Sequence, residues 1–279
     1  MVVIDSQVHC YERDSPTRPW ASMLHGPPEV TGDDMVAAMN DVGVDGAILV
    51  SPWTLYGFDA SYAIEVHADH PTRFGLVKPI DTTAPDVRHV VADWASTSGA
   101  VGVRIMMVGD VWAQPDQPGI DAVLSTAGRV GLPVNLLCWG RIGVAAELAR
   151  RHADTQLVVD HLGIIQPFTP PVPQDPWADL PAVTELAKFP NVVIKLTGAC
   201  TLSQTPFPYP DLWDPLARLF DDFGIERCMW GTDWTRAVEL LTYRQGVEAF
   251  ALTDRLSENE RQLLMGNTAA RVYRWEPGG

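Results

Sequence analysis

Five residues far apart in the chain have side chains that could carry chemistry: His9, Arg104, His161, Lys195 and Asp233. Each sits at or just past the end of a short apolar run, in VVIDSQVHC, VGVRIMM, VVDHLG, VVIKLTG and MWGTDWTR respectively. A carboxylate beside two imidazoles suits general-base activation of water, with the imidazoles donating to an oxygen that gains negative charge. The same three groups, His9, His161 and Asp233, would suffice for one catalytic zinc with an open position. Gln7 shares a strand face with His9, since residues i and i+2 point the same way. A neutral amide oxygen is a poor zinc ligand, whereas its N–H can donate to an oxyanion.

Taken singly, these residues have ordinary readings. A lone histidine after an apolar run is more often a structural hydrogen bonder than a catalyst. Arg104 and Lys195 could pair with buried aspartates, with Asp160 and Asp5 as candidates that neighbour site residues but point to the opposite face. Asp233 could cap a helix starting near residue 237. Their coincidence at one end of several strands favours a site. His67, His70, His89 and His152 fall on or after helices, which leaves His25 as a rim candidate.

Eight valine- and isoleucine-rich runs, at 2–9, 45–51, 73–80, 100–107, 132–139, 155–162, 191–198 and 227–234, must supply those strand ends. Such runs imply a parallel sheet covered on both faces. Amphipathic stretches at 33–43, 86–97, 119–131, 143–152 and 179–189 separate them. Eight strand–helix units of about 35 residues are the arithmetic of an α/β (β/α)8 TIM barrel. Residues 1–279 then form a single domain, with an extra C-terminal helix from the stretches at 237–251 and 257–266. An open doubly wound sheet is disfavoured, because no G-x-G-x-x-G follows a strand. The proline-rich stretches 166–177 and 205–213 read as long loops on the active-site side, forming a wall or rim.

The net charge of −15 argues against nucleic acid or an anionic membrane as partner. It makes Arg104, Lys195 and Arg236 stand out as contacts for a small anionic substrate. Ser51, Trp53, Tyr56, Trp139 and Trp234 follow strand ends and are candidate substrate walls. Cys10, Cys138, Cys200 and Cys228 lack C-x-x-C spacing and fit reduced, buried thiols. A cytoplasmic enzyme is expected, with a homodimer as the expected assembly.

From IDSQVHCYE through VDHLG, NVVIKLTG and CMWGTDW to GNTAARVY, the chain resembles the amidohydrolase superfamily, in its amidohydrolase-related branch of TIM-barrel hydrolases. That branch includes 2-pyrone-4,6-dicarboxylate lactonases, sugar lactonases and aminocarboxymuconate-semialdehyde-type decarboxylases. Its pattern on the first strand is Asp-x-His-x-His, from which this chain departs at Gln7. His9, His161 and Asp233 match the family's second histidine, strand-six histidine and strand-eight aspartate. No strand-five histidine is present, and Arg104 stands where a carboxylated lysine would lie, so a binuclear metal site is not expected. The resemblance implies a hydrolase of a lactone or related cyclic or aromatic ester bearing a carboxylate. Asp233 would activate water, while His9 and His161 polarise the carbonyl, with no metal required. A metal-dependent non-oxidative decarboxylase, with one divalent metal such as zinc on His9, His161 and Asp233, is the alternative. A barrel that only binds a small ligand is a third.

Overall fold

The computed structural model describes residues 1–108 and 116–278. Eight parallel strands pair in chain order: β1 (Ile4–Val8), β2 (Gly46–Val50), β3 (Phe74–Pro79), β4 (Ala100–Met106), β5 (Val134–Leu137), β6 (Leu157–Val159), β7 (Val192–Lys195) and β8 (Cys228–Met229). Each lies inside one of the apolar runs. Helices α1 (Gly32–Val42), α2 (Ser61–Asp69), α3 (Val87–Ala95), α4 (Pro118–Val130), α5 (Ile142–Arg151), α6 (Leu180–Thr184), α7 (Trp213–Phe223) and α8 (Tyr243–Ala251) follow them in turn. This is a nearly closed (β/α)8 barrel.

The helix boundaries have local causes. Thr31 and Asp34 form a capping box at the start of α1, and Thr242 and Gln245 form one at the start of α8. The helical pattern from 237 therefore begins only at Tyr243, because Thr242 is the first residue able to satisfy the exposed N–H groups of the first turn. After α8 come α9 (Glu258–Gln262), a π turn (Leu263–Asn267) and α10 (Thr268–Tyr273).

Two apolar layers hold the barrel. The larger packs the outer strand faces against the helices. The smaller fills the interior with Ile4, Ile48, Val50, Val77, Val158, Val193 and Met229, and α10 closes it with Ala269, Val272 and Tyr273. Moving up each strand by two residues keeps the inward direction, so Arg104, Asn135, Asp160 and Lys195 form a polar layer over that apolar plug. β8 is only two residues long, and the seam closes through single bonds. Ser6 N–H donates to Trp230 O at 3.2 Å and Asp233 N–H to Gln7 O at 3.1 Å. Asp5 stitches the same seam, accepting from Thr232 N–H at 3.0 Å and from Thr232 Oγ1 at 2.6 Å.

Candidate active site

Regular strand alternation would point His161 away from Asp160. The backbone breaks that alternation: His161 has φ 53° and Leu162 φ 60°, both left-handed. The expected opposition of Asp160 and His161 is thereby corrected, since both face the barrel's interior end. Asp233 also has a left-handed φ, of 48°, which turns its carboxylate toward the two imidazoles. Left-handed backbone at non-glycine residues costs free energy and is found where a side chain must be aimed.

Asp233 is buried at the centre of the site. Its Oδ2 accepts from Arg236 Nε and lies 3.5 Å from His161 Nδ1. His9 Nε2 is 3.1 Å from Oδ1, but off the direction of a hydrogen bond, so Oδ1 is a buried acceptor without a hydrogen-bond donor among the described residues. His9 Nδ1 is 2.6 Å from Val50 O. Burial would raise the Asp233 pKa, but Arg236, His161 and His9 outweigh it and hold the carboxyl well below the usual range. Burial pushes His161 down to about 3, so that ring is neutral near pH 7.

The cations divide into two sets. Arg236 ties Asp233 to the loop after β6, reaching Gln166 Oε1 and donating to Pro167 O at 3.2 Å. Arg104 and Lys195 instead meet Asp160, at 2.7 and 3.3 Å. The plain pairing reading of those two cations is thus the one realised, with Asp160 as partner of both and Asp5 of neither. Lys195 is 0% exposed, donates to Gln7 Oε1 at 3.2 Å and lies 5.6 Å from the Tyr273 ring centre, away from substrate space. Gln7 likewise turns its amide to His161 Nε2, at 3.3 Å.

A cavity of about 210 Å³ opens over these groups, lined by His9, Arg104, His161, Asp233 and Arg236 below, with Trp53, Trp139 and Phe168 among its walls. Trp53 and Trp139 each carry a buried indole N–H with no partner among the described residues. Gln7, Lys195, Ser51, Tyr56 and Trp234 are outside that lining. Ser51 donates to Asp59 O at 2.7 Å, Tyr56 accepts from Glu12 N–H at 3.0 Å, and Trp234 packs on Tyr243. His25 stacks on Phe168 at 5.9 Å, a rim position. Of the two proline-rich loops, 166–177 gives Phe168 to the cavity. Residues 207–213 instead line a separate groove against α8, so the expectation of a rim there is corrected. Trp213 packs on Phe250 of α8, and Phe207 on Tyr209, rather than over the barrel mouth.

Gln166 and Thr197 escaped the reading of the sequence. Gln166 donates to Thr197 O at 2.9 Å and His161 O at 3.3 Å, and Thr197 Oγ1 accepts His161 N–H at 3.0 Å. The position of Gln166, straight after GII and before the prolines, was the available signal.

A divalent metal fits this donor set poorly. His161 Nε2 faces two donors, Arg104 Nη2 at 3.1 Å and Gln7 Nε2 at 3.3 Å, so its lone pair is engaged. Arg236 covers Asp233 Oδ2, and its charge opposes a second cation beside it. Among the described residues, no group of three or more His, Cys, Asp or Glu side chains is placed to hold a metal. All four cysteines are buried and unpaired. No described helix is long and apolar enough to cross a membrane.

Residues 4–275 match the family model described as Amidohydrolase. The chain is 26% identical over 254 residues to a 4-sulfomuconolactone hydrolase of Hydrogenophaga intermedia, spanning 88% of this chain and 80% of that enzyme. It is 29% identical over 188 residues to an L-fucono-1,5-lactonase of Burkholderia ambifaria, spanning 63% and 60%. A zinc-bound crystal structure of an amidohydrolase from Burkholderia multivorans superposes with a TM-score of 0.82 at 25% identity, covering 99% of this chain and 100% of that one.

Proposed function

We propose, from the premise that this chain belongs to the amidohydrolase family and is one of its ester-cleaving hydrolases, that it opens a lactone bearing a carboxylate, without a metal. The observation that carries this reading is Asp233 Oδ1. It is an ionised, buried acceptor at the cavity floor, with no hydrogen-bond donor among the described residues and an imidazole on either side of the carboxylate.

In this reaction a water donates one hydrogen bond to Oδ1. As its oxygen bonds to the lactone carbonyl carbon, the proton passes to Asp233. The carbonyl oxygen becomes an oxyanion, held by donors among His161 and Arg104; a neutral His9 ring spends its one proton on Val50 O, 2.6 Å from Nδ1, so the expected donor role of His9 is corrected. Collapse of the tetrahedral intermediate breaks the ring C–O bond, and the leaving oxygen recovers the proton. A depressed pKa makes Asp233 a weak base, so the dry site and the flanking donors must supply most of the rate. Holding the carboxylate ionised also keeps it ready at low pH.

The substrate class follows from the walls. A cavity of about 210 Å³ has room for one small ring, and Trp53, Trp139 and Phe168 offer flat apolar faces to it. Arg236 keeps its guanidinium over Trp139 and Phe168, at 6.0 and 5.3 Å, within reach of a carboxylate on that ring. The two indole N–H groups, unpartnered among the described residues, are available to ligand oxygens, since an unpaired buried donor costs about 1–3 kcal/mol until it is satisfied. The alternative, a metal-dependent decarboxylase, needs a cation that this donor set is poorly built to hold. Small unsaturated and saturated lactones with and without a carboxylate test the reading. Only the carboxylated ones should be opened efficiently, and Asp233→Asn should cost about 10²–10⁴ in kcat. Equal turnover by Asp233→Asn would refute it.

A further inference from the structure

We infer that Asp160 is a positioning residue: by holding Arg104 and Lys195 it locks His161 in the tautomer whose proton is on Nδ1, making that ring a donor toward the reaction centre rather than a base at Nε2. Only the donor role toward substrate rests on the lactone-hydrolase reading; the tautomer follows from the geometry alone.

The chain of reasoning starts from groups that cannot accept. Lysine and arginine side chains have donors only. Lys195 Nζ is 3.2 Å from one end of the Gln7 amide, so that end is the oxygen and the NH2 is the end facing His161. Arg104 Nη2 is 3.1 Å from the same His161 nitrogen, Nε2. Two donors converge on Nε2, and a proton there would set three N–H groups against one another. Nε2 is therefore bare, and the ring's proton belongs on Nδ1. That atom has acceptors in front of it, Thr197 Oγ1 at 3.1 Å and Asp233 Oδ2 at 3.5 Å.

Asp160 sets up both donors. It is fully buried, takes Arg104 Nε on Oδ2 at 2.7 Å, and has Lys195 Nζ 3.3 Å from Oδ1. Asn135 Nδ2 donates to the same Oδ1 at 3.3 Å, and Tyr273 OH from α10 donates to Asn135 Oδ1 at 3.0 Å. The network thus runs from the plug at the bottom of the barrel to the imidazole at its mouth. An asparagine at 160 would turn an NH2 against Arg104 or Lys195, whichever way the amide faced. At least one donor would be released, and with it the reason for His161 to keep Nε2 bare.

Nitrogen-15 NMR of the labelled full-length protein reads this directly, with the His161 signals identified by their loss in His161→Gln. The expected wild-type pattern is a protonated nitrogen at Nδ1 and an unprotonated one at Nε2. A protonated Nε2, alone or with Nδ1, overturns the inference and needs no variant to do so. In Asp160→Asn the pattern should shift toward Nε2 protonation, and kcat for lactone opening should fall on the order of 10²-fold with KM changed far less. A folded Asp160→Asn with unchanged spectrum and kcat would equally overturn it. Failure to find any lactone substrate would remove the function proposed above but leave the NMR result standing.

Discussion

At the scale of single residues, the reading turns on which groups face each other. Gln7 first suggests a lost metal ligand or a donor to an oxyanion. Its place in the structure is between a lysine that fixes its oxygen and a histidine that takes its N–H. Arg104 and Lys195 look alike as intrastrand cations, yet only Arg104 borders the cavity. The side-chain types were legible in the sequence, but the pairings were not, because they depend on two left-handed residues, His161 and Leu162, that no residue preference announces. The Asp233 carboxyl, held far below the ordinary range, gives a signed prediction. A carboxylate already ionised near pH 4 cannot generate an acid limb at about pH 4–5, where ordinary carboxyls titrate. The kcat/KM profile of the wild type should therefore stay level from about pH 7 down to about pH 5. A loss of rate centred between those values would contradict the assignment of Asp233 as the free-enzyme base.

At the scale of elements, the seam between β1 and β8 and the contact between the loops after β6 and β7 place the site. Asp5 holds the seam although burial raises its pKa from 3.8 to about 6, against the pull of bonds from Thr232 and Gln7. The folded state therefore binds this proton more tightly than the unfolded chain. Its contribution to stability is full below about pH 4 and is lost as pH rises through about 6. Because His161, pushed down to about 3, acts in the opposite sense over the same range, the decline is read as a difference: the urea-unfolding stability of wild type relative to Asp5→Asn should fall between about pH 4 and 6, and a constant difference would contradict the role. At the second contact, Gly198 has φ 70°, and a Cβ there would lie 2.2 Å from Gln166 Oε1 and 2.3 Å from Arg236 Nη2. Gly198→Ala should cost about 1–2 kcal/mol for the left-handed backbone alone. It should also lower kcat by pushing Arg236 off Asp233, as steady-state kinetics beside a urea titration would show. The eight strands were readable as apolar runs because both faces of a parallel sheet are covered. The loop after β7 was not, since proline content marks a loop without saying what it packs on.

At the scale of the whole molecule, the chain builds a barrel whose apolar plug lies below and whose polar layer lies above, closed from beneath by α10. Three cations and two carboxylates, Arg104, Lys195 and Arg236 with Asp160 and Asp233, occupy the C-terminal end of the strands. In a chain of net charge −15, Arg104 and Arg236 are the arginines that border the cavity, which is what the proposed anionic substrate would meet. The fold and family were readable from the order of motifs along the chain. What fills the centre of the site depended on distances. The most direct test is hydrolysis of a carboxylated lactone by protein stripped with a chelator and verified metal-free by elemental analysis. The account predicts undiminished kcat, with no gain on adding zinc. Loss of activity on stripping, restored by zinc, would contradict it.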